Sequence, residues 1–126
     1  FNNLQQKPLN EILKDADIIS IHLPLLKETE NLIDSHELAI VKDNVSIINT
    51  SRGGIINEDA LTNFLKINKN AFGAFDVFLE EPAFNNPLLE LNNFYATSHL
   101  GSMTEEGVIA MGLAAINGLD ENRIPI

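Results

Sequence analysis

Three side chains in this 126-residue sequence have the types needed for joint proton and anion chemistry. They are Arg52, a carboxylate from the stretch Phe78-Leu79-Glu80-Glu81-Pro82-Ala83, and His99. Arginine offers a planar fork of donors that matches a carboxylate two-for-two. Histidine gives or takes a proton near neutral pH, and a glutamate on its other ring nitrogen would orient it. Such a set suits reduction of a 2-keto acid: the arginine grips the acid, the histidine serves the carbonyl oxygen, and a hydride arrives from elsewhere. Each residue also has a plainer reading. A strand-end arginine can pair with a nearby acid, a lone histidine can satisfy backbone groups, and the glutamates can form an ordinary acidic loop. His22 and His36 read as structural or solvated. The three histidines lie in separate segments without ligand spacing, so no metal site is expected. No G-x-S-x-G turn supports a serine hydrolase.

The elements that must bring these residues together alternate along the chain. Leu9, Ile12 and Leu13 recur three to four apart and predict a short amphipathic helix. The apolar run Ala16–Leu25 predicts a strand that Pro24 stops. Asp34 with Glu37 three residues on is a capping-box pattern opening a short helix. Val45–Thr50 predicts the second strand. Beyond the polar turn at Thr50-Ser51-Arg52-Gly53-Gly54, Asn57 is placed to cap a helix. Its first turn carries Glu58 and Asp59, and its stripe is Leu61, Phe64 and Leu65. Ala71–Phe78 is the third strand, with Gly73 allowing close approach. Asn93–Gly101 is the fourth. Ser102 with Glu105 suggests another capping box, and a last helix with Val108, Met111 and Ala115 on one face is expected to end near Gly118.

Apolar strands separated by helices indicate an α/β fold, a partial doubly wound (Rossmann-like) parallel sheet covered by helices. Ligands of such sheets bind beyond the carboxyl ends of the strands. His22 and Pro24 end the first strand, Thr50, Ser51 and Arg52 the second. Asp76 is assigned to the third, and His99 ends the fourth. All should crowd one edge.

Composition removes several alternatives. Eighteen acids against eight bases give a formal charge of −10, with the bases scattered, so neither nucleic acid nor an anionic membrane surface is an expected partner. The apolar runs are too short to span a bilayer. With no cysteine there are no disulfides or thiolate metal ligands, which fits a reducing cytoplasm. The sequence opens on Phe1 rather than methionine, which suggests a fragment or a processed chain.

Four stretches in order, ADIISIHLPLLKETENLI, IINTSRGGIINEDAL, GAFDVFLEEPA and SHLGSMTEEG, closely resemble the D-isomer-specific 2-hydroxyacid dehydrogenases over about residues 9 to 118. The resemblance implies an NAD-dependent oxidoreductase of a 2-hydroxy or 2-keto acid, and usually a homodimer. In that pattern Arg52 matches the substrate-binding arginine, Glu81 the glutamate paired with the catalytic histidine, and His99 the general acid/base. Asp76 matches a residue facing the nicotinamide end of the cofactor. Leu23, Pro24, Thr29, Thr50, Ser51, Gly101 and Ser102 match further cofactor contacts. NAD-sensing corepressor relatives without turnover are the alternative the family allows. Ser98 departs from the pattern, standing where the family usually has proline. The G-x-G-x-x-G turn and the acidic residue that follows it do not occur either, so residues 1–126 are expected to be the C-terminal part of a cofactor domain that binds NAD poorly alone.

Overall fold

The computed structural model describes residues 4–121. Four strands, β1 (Ile18–Ile21), β2 (Ser46–Asn49), β3 (Phe72–Phe75) and β4 (Phe94–Ala96), form one parallel sheet in sequential order. Helix α1 (Leu9–Asp15) leads into β1, while α2 (Ser35–Leu38) and α3 (Glu58–Ile67) connect β1 to β2 and β2 to β3. A 3-10 turn at Pro87–Glu90 precedes β4, and α4 (Glu105–Glu121) follows it. The expected α/β class is therefore found, as four strands running in one direction across the sheet.

Two helix starts follow the sequence reading. The Asp34 carboxylate accepts from Ser35 N–H at 2.6 Å while Glu37 accepts from Asp34 N–H at 3.2 Å, completing the capping box of α2. Asn57 accepts from Ala60 N–H at 3.0 Å and caps α3. The start of α4 differs. Thr104, not Ser102, caps it, its hydroxyl accepting from Gly107 N–H at 3.0 Å. The helix also runs through Gly118 to Glu121, since a glycine within a helix weakens it without ending it.

The core lies on one face of the sheet. Leu13, Leu38, Leu61 and Leu65 bring α1, α2 and α3 onto Ile19, Ile21, Ile47 and Phe75. The register sets Ile19, Ile47, Gly73 and Phe94 in a row. Gly73 does allow a close approach, but by an aromatic ring: a Cβ there would lie 2.6 Å from the Phe94 side chain. That ring meets Phe75 edge-on at 5.2 Å. The opposite face is open among the described residues, with Ile18 and Tyr95 exposed. The expected stripe of α4 is exposed as well, Val108 and Met111 included.

Strands are shorter than the apolar runs suggest. β1 stops at Ile21, and residues 22–33 fold as a loop. There Thr29 Oγ1 donates to Pro24 C=O at 2.7 Å and accepts from Leu26 N–H at 2.8 Å. Asn31 N–H then reaches Gly54 C=O at 2.8 Å, tying this loop to the turn after β2.

Candidate active site

The last row of the sheet register is Ile21, Asn49, Phe75 and Ala96. The next residues, His22, Thr50, Asp76 and Thr97, leave the sheet at one edge, so Asp76 stands just beyond β3 rather than in it. His99 follows β4 by three residues for the same reason.

At β2 the edge is organised by Asn49, a fully buried amide that the sequence reading does not single out. Its Oδ1 accepts from Ser51 N–H at 3.1 Å and Ser51 Oγ at 3.0 Å, and its Nδ2 donates to Arg52 C=O at 2.9 Å. Both polar atoms of the amide are thus used to curl the chain back, which leaves Arg52 exposed at the tip. The guanidinium donates to Ser51 C=O at 2.6 Å and forms no ion pair among the described residues. A nearby acid is therefore not what Arg52 serves here. Gly53 presses on the next loop so tightly that a Cβ would lie 2.0 Å from the Phe78 carbonyl group. The Arg52 turn and the Phe78–Glu81 turn are in backbone contact.

Glu81 accepts twice. Phe78 N–H donates to Oε1 at 2.9 Å, and His99 Nδ1 stands 2.8 Å from Oε2. The hydrogen bonds to His99 and then to the Phe78 backbone hold the Glu81 carboxyl below its usual range, against the opposing effect of burial. An ionised carboxylate can only accept, so Nδ1 carries the proton in this pair, and Nε2 has no hydrogen-bond partner among the described residues. His99 sits in the left-handed region at φ 57°, an uncommon conformation for histidine.

Asp76 fixes that conformation. Its Oδ1 accepts from Thr97 Oγ1 and from Leu100 N–H at 2.7 Å, and its Oδ2 from Gly101 N–H at 2.8 Å. Burial raises its pKa, yet those three donors and the nearby His99 outweigh it, and the carboxyl lies below its usual range. Both oxygens are engaged with the segment that carries His99. Thr29 is similar, its hydroxyl being taken up by its own turn. Leu23 and Pro24 are exposed along the same edge, as are Thr50, Gly101 and Ser102.

A cleft of about 740 Å³ opens beside the pair, lined by the apolar Phe78, Pro82, Phe84 and Leu89 and by Glu81 and His99 themselves. Arg52 lies outside this cleft, on the neighbouring turn. No cluster of three metal-ligating side chains occurs among the described residues, and no described helix is long and apolar enough to cross a membrane.

The chain is similar in sequence and fold to known proteins. The chain is 45% identical over 104 residues to a D-3-phosphoglycerate dehydrogenase of Methanocaldococcus jannaschii, covering 82% of the chain and 20% of that protein. It is 44% identical over 95 residues to a glyoxylate reductase of Thermococcus litoralis, covering 75% and 29%. The crystal structure of D-lactate dehydrogenase from Aquifex aeolicus, complexed with NAD and lactic acid, superposes with a TM-score of 0.84 at 28% identity, over 90% of the chain and 39% of that structure. The chain thus spans well under half of each. A sequence model of the D-isomer specific 2-hydroxyacid dehydrogenase NAD binding domain matches residues 1–101, and the chain belongs to that family.

Proposed function

We propose that this chain is part of an NAD(H)-dependent oxidoreductase that interconverts a D-2-hydroxy acid and its 2-keto acid. The observation that carries the reading is the His99–Glu81 pair, which leaves the other ring nitrogen of a half-exposed histidine without a hydrogen-bond partner among the described residues. In reduction the His99 imidazolium gives its Nε2 proton to the carbonyl oxygen and becomes neutral. In oxidation the neutral ring takes a proton at Nε2 from the hydroxyl, while Glu81 keeps Nδ1 protonated and stabilises the imidazolium. Arg52 holds the substrate carboxylate with the free side of its fork.

NAD(H), when bound, supplies or accepts the hydride. The exposed apolar side chains Leu23, Leu25 and Leu26, beside the polar turn at Thr50 and Ser51, suit the nicotinamide half of a dinucleotide. Asp76 and Thr29 support that edge by holding its loops in shape. The pyrophosphate half has no G-x-G-x-x-G cradle in this sequence, which fits residues 1–126 being the C-terminal part of a cofactor domain. Homodimeric assembly and a cytoplasmic setting belong to the same reading; the lack of cysteine agrees with the latter.

The test is NADH oxidation by the full-length protein on a panel of glyoxylate, hydroxypyruvate, its 3-phosphate and pyruvate. Turnover of at least one is expected, and Arg52→Ala should raise KM for that acid by about 100-fold while NADH affinity changes little. No turnover on any 2-keto acid would reject the reading, and equal loss of both ligands would reject the role of Arg52.

A further inference from the structure

The loop that presents Glu81 has little apolar material to hold it. Phe78 at its start is in the core, but Leu79 is 66% exposed and Phe84 85%, and within residues 79–86 only Ala83 packs against the core. A polar bridge from α3 does the holding instead. Glu58 Oε1 accepts from Leu79 N–H at 2.7 Å, and its Oε2 accepts from the Asn86 side-chain amide. Leu79 adjoins Phe78, whose N–H is bonded to Glu81. Asn86 donates its backbone N–H to Ala83 C=O at 3.1 Å, and its Oδ1 accepts from Leu88 N–H at 3.0 Å, where Leu88 is fully buried. One carboxylate thus pins both ends of residues 79–86 to the first turn of α3.

We propose that Glu58, with Asn86, is a positioning residue that sets the Glu81–His99 hydrogen bond. This rests on the catalytic reading of that pair. An acid in the first turn of a helix has the simpler job of complementing the helix dipole, but a dipole acid needs no particular partners. Glu58 has two, 21 and 28 residues away, one on each side of Glu81.

The donor pattern supplies a test in which folding and positioning separate. Glu58→Gln turns an amide group toward the Asn86 amide, leaving two donors face to face. Asn86→Asp sets two carboxylates together. Combining them restores both bonds in reversed polarity. The new amide at position 58 still accepts from Leu79 N–H and now donates to the new carboxylate at position 86, which still accepts from Leu88 N–H.

In the full-length protein, the downfield imidazole N–H proton resonance of His99, identified by its loss in Glu81→Gln, reports the pair directly. Each single variant should broaden or displace that resonance and lower kcat by about tenfold, with KM for NADH within about twofold. The double variant should restore the resonance and recover kcat to within about threefold of the parent. An unmoved resonance in both single variants, or a double variant no better than the worse single one, would overturn the proposal. A parent protein without turnover would reject the dehydrogenase reading, and the resonance would still decide whether Glu58 positions the pair.

Discussion

Asp76 illustrates how much of this site is built by groups that need not touch a substrate. Its two oxygens gather three donors from the five residues that include His99. Replacing it by asparagine keeps the shape but turns an N–H₂ toward one of those donors, leaving a buried group unsatisfied. Asp76→Asn should cost about 1–3 kcal/mol of stability. The pH dependence follows from the lowered carboxyl. A group whose folded pKa lies below its unfolded value stabilises the fold above the unfolded value, and that contribution is lost as pH falls through the folded one. Urea midpoints should therefore drop as pH falls from about 5 toward 3, and more steeply in the parent than in Asp76→Asn. Parallel profiles would mean that Asp76 titrates as it does in the unfolded chain.

At the scale of elements, short-range chemistry is legible in the sequence and long-range contact is not. Asp34 with Glu37, and Asn57 ahead of Ala60, identify caps because donor and acceptor lie within one turn. The start of α4 is ambiguous in sequence because Ser102 and Thr104 both have the side chain of a cap, and only the hydrogen bond to Gly107 chooses between them. The apolar runs overstate the strands because Leu23 and Leu25 are as apolar as Ile19, yet stand on the exposed edge. Arg52, Glu81 and His99 can be named from sequence, whereas Asn49 gives only a faint signal: an amide where the period of the strand points inward. The link from turn to turn at Gly53 depends on packing that no local pattern displays. Gly53→Ala would drive a methyl into the Phe78 carbonyl and should destabilise by about 3 kcal/mol or more while moving Arg52 relative to Glu81. Gly112, inside α4 with nothing within 4 Å of a Cβ, is the contrasting case. Gly112→Ala should stabilise by about 0.5–1 kcal/mol through helix propensity. Thermal unfolding of both variants checks the pair, and a neutral Gly53→Ala would mean that the two turns do not touch.

For the molecule as a whole, two surface properties oppose each other. The open sheet face and α4 expose Ile18, Tyr95, Ile109, Leu113 and Ile116, a concentration of apolar side chains that favours association. Both edge strands, β1 and β4, also lack a neighbour on one side among the described residues. The formal charge of −10 works against contact, because like charges repel over a distance set by salt. Apolar attraction has no such dependence at moderate ionic strength, so salt should decide the outcome. At about 0.01 M the screening length is near 30 Å and copies of residues 1–126 should stay apart, whereas at about 0.5 M it shrinks to a few ångströms and they should associate. Sedimentation velocity across that range should show a weight-average mass rising from 13.9 kDa, and falling again on dilution. Polar replacements on α4, such as Ile109→Gln with Leu113→Gln, should suppress the rise without altering the low-salt mass. A mass independent of salt would mean that these apolar side chains do not form a contact surface between copies, and that the acidic charge is not what keeps them apart.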